Sequence, residues 1–172
     1  MTCDEMKNKE GEILVFINYL QAARFGHVAW GIRVAENEYF FGSTDHLWKH
    51  DWWDLPAWAR YMNVPPEGDI DWWVEHGSKD AMLKMMRSGH HIRYHAYKCI
   101  NVQSAQPEKA VEAAHRLRSA GWHLARHNCV HQTFLVMNEY SSEHNAPDPF
   151  ANVLNLIPKR WFGLLPGDTV SL

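Results

Sequence analysis

A histidine, an asparagine and a cysteine are adjacent at His127, Asn128 and Cys129, directly before an apolar segment, residues 130–140, that is predicted to be helical. Asparagine is a preferred N-cap residue, because its side-chain oxygen accepts hydrogen bonds from the free N–H groups of the first helical turn. Cys129 then occupies the first helical position, where the positive end of the helix dipole favours a thiolate. The spacing therefore indicates a candidate cysteine nucleophile.

A thiolate nucleophile needs a base within hydrogen-bond reach. His27 begins a predicted strand whose following residues, 28–34, are mostly apolar. A histidine at the end of a core strand is held rigidly and still faces a cleft, so His27 is the best placed base. Because either residue alone is more often structural, the hypothesis depends on His27 and Cys129 lying together.

A third group would orient the base. If Val34 pairs with Glu38 across a three-residue turn, His27 lies opposite Asp45, and Ser43 is its diagonal neighbour on the same face. Asp45 or Ser43 is therefore the predicted orienting residue, and a Cys–His dyad without a third residue is the alternative. The register depends on the length of that turn.

The backbone N–H of Cys129, at the helix N-terminus, would supply part of an oxyanion hole. Asn128 and His127 are the supporting residues nearest to it in sequence. A second oxyanion donor is not identified from the sequence.

Three histidines near the cysteine also suggest a metal site, formed by His123, His127 and His131 together with Cys129. Zinc accepts thiolate and imidazole ligands in tetrahedral geometry. Residues two apart on a helix face different sides, however, so Cys129 and His131 would not converge easily. We therefore expect no metal and no cofactor.

Residues 44–77 are rich in tryptophan and interrupted by prolines. Tryptophan buries a large area, so one interpretation is a lid packed over the sheet. The other is the aromatic wall of a substrate groove, whose candidate residues are Trp30, Trp48, Trp52 and Trp53. Two adjacent tryptophans in an extended chain cannot both point inward, so some of these rings should be partly exposed.

Patterns elsewhere predict the elements that would position these residues. Strands are expected at 12–20, 26–34, 38–42 and 91–102, the second and third forming a hairpin; helices are expected at 78–88, 107–119, 130–140 and 148–156. The segment 43–77 is expected to be irregular, and the chain from Gly163 onward to be loop-like. The 172 residues are expected to form one α+β domain.

The composition narrows the function classes. A net charge of −3 and a pI near 6.4 give no electrostatic signature for nucleic acid or acidic membranes. The N-terminal residues are too polar for a signal peptide, and no segment has the roughly 20 apolar residues that span a bilayer. Three cysteines without a C-x-x-C motif fit a reducing compartment better than a disulfide scaffold, so we expect a cytoplasmic protein.

The two segments 26–34 and 38–42, followed about a hundred residues later by H-N-C-x-x-x-x-F at 127–134, resemble the circularly permuted papain-like proteins. The closest resemblance is to the PPPDE group of desumoylating and deubiquitinating isopeptidase-like proteins. The middle of the chain is also similar to the permuted NlpC-like hydrolases and the lecithin:retinol acyltransferase relatives. Ser43-Thr44-Asp45-His46 stands where the PPPDE group usually has a glycine-rich segment.

The resemblance implies an antiparallel sheet packed against helices, with His27 as base and Cys129 as nucleophile. The expected function is thiol-dependent hydrolysis of an amide, isopeptide or ester bond in a peptide, a protein conjugate or another acyl substrate. Two alternatives stay open: a catalytically silent module that binds a peptide or partner through its Trp-rich face, and a small metal-binding protein.

Overall fold

A six-stranded antiparallel sheet is the centre of the structure. The computed structural model describes residues 11–45, 63–65, 71–89 and 92–172, without the side chains of Ala23, Asp45, Asn63 and Asp71. The strand order is β5-β3-β2-β1-β6-β8, formed by β1 (Gly11–Asn18), β2 (His27–Ala35), β3 (Glu38–Asp45), β5 (Asp71–Gly77), β6 (Ala96–Val102) and β8 (Thr169–Ser171). Two short strands, β4 (Asn63–Val64) and β7 (Trp122–His123), pair separately.

The described residues include four α-helices, so the fold class is α+β as predicted. The helices are α1 (Lys79–Ser88), α2 (Pro107–Leu117), α3 (Cys129–Tyr140) and α4 (Pro158–Leu164), and short 3₁₀ turns span Ala22–Arg24, Ser142–His144 and Val153–Leu156. Proline at the first position of α2 and α4 suits the helix start, because its missing N–H would have no intrahelical partner there. Within the described ranges, none of these helices has the length and apolarity to cross a bilayer.

The predicted β2–β3 hairpin is present. Arg33 pairs with Tyr39 and Trp30 with Gly42, which is the register that the sequence predicted for the body of the hairpin. Near the turn the register shifts, so that Ala35, rather than Val34, pairs with Glu38. The shift is local, and the alternation of side chains along β2 is therefore as expected toward its start.

Helices cover both faces of the sheet. On one face, Val28, Trp30 and Ile32 of β2 pack in an apolar cluster with residues of α2, α3 and α4. On the other face, Ala29 of β2 and Phe16 of β1 pack in a second cluster with residues of α1. All eight residues of the central strand β1 are buried, because both of its faces are covered.

Several elements differ from the sequence prediction. Residues 71–77 form strand β5 inside the segment expected to be irregular, and residues 158–164 and 169–171 form α4 and β8 where a helix end and a loop were expected. In β5, Trp73 is buried in the α1-side cluster while Trp72 packs beside the other cluster, so the adjacent tryptophans occupy opposite faces. The segment 148–156 is mostly irregular and contains only the 3₁₀ turn Val153–Leu156.

Candidate functional site

Cys129 is the first residue of α3, as the sequence predicted. Asn128 is its N-cap, with an extended backbone and a side-chain oxygen that accepts hydrogen bonds from the N–H groups of Val130 (3.0 Å) and His131 (3.2 Å). The cap therefore fixes the first turn without using the N–H of Cys129. That N–H lies beside the thiol, in the position expected of an oxyanion donor.

The amide nitrogen of Asn128 is fully engaged. It donates to the backbone oxygens of Leu124 at 2.9 Å and Leu156 at 3.1 Å. Both of its hydrogens are used by these bonds, so Asn128 supports the helix start and does not offer a second oxyanion donor.

His131 also belongs to this cap. Its Nδ1 lies 3.0 Å from the side-chain oxygen of Asn128, its ring packs 4.5 Å from the ring of Phe150, and the residue is 1% exposed. Burial, and to a lesser degree the neighbouring His127, lower the pKa of His131 to about 4, against a smaller opposing effect of Asp148. The imidazole is therefore neutral near pH 7 and has a structural role at the helix start.

His127 precedes the cap and supports it through its backbone. Its carbonyl oxygen accepts from the side-chain nitrogen of Gln132 at 3.0 Å, and its N–H donates to the carbonyl of His123 at 2.8 Å. Its Nδ1 is buried without a hydrogen-bond partner among the described residues. Among all the residues that the structure describes, no three His, Cys, Asp or Glu side chains are grouped so that they could hold a metal ion.

His27 is the first residue of β2 and is 7% exposed. Its Nε2 lies 2.8 Å from the hydroxyl oxygen of Ser43, and that hydroxyl is 3.3 Å from the carbonyl oxygen of Val28. Because a carbonyl only accepts, the serine hydroxyl donates to Val28 and accepts from Nε2–H. In this tautomer, Nδ1 carries the lone pair of the imidazole ring.

The structure thus brings His27 together with Ser43, one of the two predicted orienting residues. The other, Asp45, is the last residue of β3, and its side chain lies outside the described part of the molecule. Tyr94, which the sequence did not single out, has its ring centroid 6.1 Å from that of His27. No spacing rule links residues 27 and 94, so only the fold reveals this neighbour.

The thiol and the imidazole lie at the same end of the sheet. Asn128 is bonded to Leu156, and three residues further on, the N–H of Lys159 donates to the carbonyl of Phe25 at 3.1 Å. One short segment therefore links the start of α3 to the start of β2. At the opposite end of both elements, the hydroxyl of Tyr140 donates to the carbonyl of Arg33 at 2.6 Å.

The two side chains lie on different faces of the sheet. Cys129 is 7% exposed and packs in the cluster that contains Val28, whereas the hydrogen bond described for His27 goes to Ser43, and its ring lies beside Tyr94 of the other cluster. Side chains at successive strand positions alternate between faces, which explains why Val28 and His27 separate. The hypothesis drawn from the sequence required the two side chains to lie together, and the structure separates them by face.

The groove tryptophans are only partly described. Trp30 is 1% exposed and packs 5.3 Å from the ring of Phe40, so it belongs to the core and does not line a groove. Trp48, Trp52 and Trp53 lie outside the described residues. Trp72 is half-buried, and its indole N–H donates to the carbonyl of Ala114 at 3.0 Å.

The two described cysteines differ in their bonding. Cys99 in β6 is disulfide-bonded, whereas Cys129 is free.

Comparison of the chain with protein-family models, with curated proteins and with solved structures finds no match.

Proposed function

We propose that this protein is a thiol-dependent hydrolase with a permuted papain-like fold, in which Cys129 is the nucleophile and His27 the base. The observation that carries the proposal is the position of Cys129 at the first residue of a capped twelve-residue helix, linked through Leu156–Lys159 to the strand that begins with His27. The positive end of that helix favours a thiolate, and the N–H of Cys129, which the cap does not use, favours an oxyanion.

Ser43 is the orienting residue in this proposal. By accepting from Nε2–H, it holds the tautomer of His27 whose Nδ1 carries the lone pair needed to take a thiol proton. Serine replaces the carboxylate or amide that fills this role in other triads, so it orients the imidazole without adding a full charge. Asp45, at the end of the same strand, is the second candidate for this role.

The reaction would proceed in two stages. The sulfur of Cys129 attacks the carbonyl carbon of an amide, isopeptide or ester as its proton passes to Nδ1 of His27, and the resulting oxyanion is stabilised by the N–H of Cys129. Collapse breaks the bond to the leaving group, which takes the proton from His27. Water, deprotonated by the same imidazole, then attacks the thioester and releases the acid and the thiol.

The proposal requires one rearrangement of the structure. Because His27 and Cys129 lie on different faces at the same end of the sheet, the backbone at the start of β2 must rotate for the imidazole to meet the thiol. His27 is well placed for this rotation because it is a strand-end residue, and Gly26 before it, with φ of +93°, gives the chain a turn that most residues disfavour.

The test is the rate of iodoacetamide alkylation of the unreduced protein as a function of pH, with the labelled cysteine identified by peptide mass spectrometry. We expect Cys129 to be alkylated in the folded protein, and we expect His27→Ala to move the profile of rate against pH to higher pH. Ser43→Ala should give a smaller shift in the same direction. Arg87→Ala, on the surface of α1, is the matched control and should leave the profile unchanged.

Two results would overturn the proposal. One is alkylation of Cys129 only under unfolding conditions, which would mean that the thiol is sealed in the core. The other is a profile that His27→Ala does not move although the variant is folded by circular dichroism.

A further inference from the structure

The exposed apolar side chains of the described residues are concentrated at one end of the molecule. Eight large apolar residues are exposed, and six of them lie in the three loops around the start of β2 and the start of α3. We call these six the apolar end patch: Leu20, Phe25, Leu124, Phe150, Val153 and Leu154, with exposed fractions of 66%, 58%, 41%, 54%, 73% and 47%. Clusters of exposed apolar side chains mark interaction surfaces.

Hydrogen bonds hold the three loops together. The loop of Leu20 and Phe25 is joined to Lys159, and the loop of Leu124 is joined through Asn128 to Leu156. The third loop is closed on itself, since the side chain of Asn155 donates to the carbonyl of Asp148 at 3.3 Å. The apolar end patch therefore belongs to one side of the molecule.

The first of these loops is held in a strained conformation. Ala22 and Arg24 both have positive φ, +51° and +72°, which is unfavourable for residues other than glycine. The side chain of Asn18 accepts from the N–H groups of Leu20 (2.8 Å) and Gln21 (3.1 Å) and fixes the start of the loop. This strained loop also exposes Leu20 and Phe25. Backbone strain in a surface loop is typical of a functional segment.

The charge of these loops is opposite to that of the whole chain. The loop segments 19–26, 124–128 and 148–157, together with the first turn of α4, carry four cations and one carboxylate, Asp148, whereas the chain has a net charge of −3. The cations are Arg24 and Arg126 in the loops and Lys159 and Arg160 in α4. None of the four cations forms an ion pair with another described residue. Arginine and lysine around exposed aliphatic and aromatic side chains complement a surface that is apolar inside and anionic outside.

We propose that the apolar end patch docks the protein onto an anionic lipid surface. The patch consists of side chains from three neighbouring loops, which enter the headgroup region while the surrounding cations bind lipid phosphates. The negative net charge of the chain predicted no attraction to acidic membranes. The positive charge around the apolar end patch is a local property, which the composition could not show. The proposal is independent of the thiol chemistry.

The experiment is co-sedimentation of the full chain with vesicles of phosphatidylcholine alone or mixed equally with phosphatidylglycerol, at low and high salt. We expect binding to the anionic vesicles that weakens with salt. Arg24→Gln with Arg126→Gln should lower the partition coefficient about fivefold for each charge removed. Phe25→Ser with Leu154→Ser should lower it at least about tenfold.

Matched controls separate the patch from the rest of the surface. Arg87→Gln on α1 and Val170→Ser on β8 remove an exposed cation and an exposed apolar side chain elsewhere, and both should bind like the wild type. Cys129→Ala should also bind normally. Absence of binding to anionic vesicles, or equal loss in control and patch variants, would overturn the proposal. It would also be overturned by a concentration-dependent dimer that Phe25→Ser abolishes without any vesicle binding, because the patch would then be covered by a second copy.

Discussion

At the scale of single residues, the histidines of this protein have different roles. His27 is hydrogen-bonded to Ser43 at the start of a strand, whereas His131 is buried in the cap of α3. His144 is also buried, and burial lowers its pKa. Proximity to Cys129 in sequence therefore does not identify the base: the nearest histidines, His127 and His131, support the helix start, and the candidate base lies about a hundred residues away.

His131 gives a prediction for stability in mild acid. Its pKa is about 4 in the folded protein, below the value near 6.5 of an unfolded chain, so the unfolded state binds the proton more readily between these values. Stability should therefore fall as the pH decreases from about 6.5 toward 4, and the share of His131 between pH 7 and 5 is about 2 kcal/mol. Urea unfolding of the wild type at both pH values measures the total loss.

The variant His131→Gln separates the contribution of His131 to this loss of stability from the contributions of other groups. Its side-chain amide can still donate to Asn128 but takes no proton in this range. We expect its loss of stability between pH 7 and 5 to be smaller than that of the wild type by about 2 kcal/mol. An equal loss in the two proteins would show that the proton enters elsewhere.

At the scale of elements, a buried carboxylate joins β1 to a helix at the end of the sheet away from Cys129. Glu12 accepts from the ammonium of Lys79 at 2.7 Å and from the hydroxyl of Tyr39. Its N–H donates to the hydroxyl of Tyr140 at 3.3 Å. Burial, and then the bond to Glu12, raise the pKa of Tyr39, so the phenol stays neutral and donates. The α1 and α3 helices are thus fixed at one end, while the candidate site lies at the other.

Alanine substitutions at two glycines in neighbouring strands should differ in their effect on stability. A Cβ on Gly42 would lie 2.3 Å from the carbonyl oxygen of Trp73, a backbone atom that cannot move without breaking the β3–β5 pairing. A Cβ on Gly31 would lie 2.5 Å from the sulfur of Met82, the far part of a flexible side chain. We expect Gly42→Ala to destabilise by about 3 kcal/mol or more and Gly31→Ala by about 1 kcal/mol.

Thermal or urea unfolding of the two variants provides the measurement. A Gly42→Ala variant as stable as the wild type would mean that β5 does not pair with β3 as described. Because β5 was not predicted from the sequence, this comparison tests the part of the sheet that depends most on the structure.

At the scale of the whole molecule, the sequence predicts the elements with clear periodicity. The β2–β3 hairpin follows from two apolar strands around Glu36-Asn37, and α3 follows from Asn128 before an apolar run. Strand β5 was missed because the adjacent apolar residues Trp72, Trp73 and Val74 interrupt the alternation of polar and apolar side chains. Helix α4 was missed because Pro158 was taken as an end, whereas proline also starts helices.

The candidate site likewise has features that the sequence predicted and features that it did not. Sequence and spacing predicted the N-cap, the position of Cys129 and the proximity of His27 to Ser43, all of which depend on local structure. The sequence did not predict that His27 and Cys129 lie on different faces of the sheet. That arrangement depends on the packing of α3 against β2, and these two elements are about a hundred residues apart in the chain. Tyr94 and the Leu156–Lys159 connection were missed for the same reason.

The most direct test of the proposed chemistry is formation of an acyl-enzyme. The full chain is mixed with excess p-nitrophenyl acetate, and release of nitrophenolate is followed while intact mass and peptide mapping locate the acetyl group. We expect a burst of one equivalent, acetylation of Cys129 and slow hydrolysis of the thioester, with the burst lost in Cys129→Ala and slowed at least about a hundredfold in folded His27→Ala. Acetylation of lysines alone, or a burst that is unchanged in His27→Ala, would contradict the assignment of Cys129 and His27 as nucleophile and base.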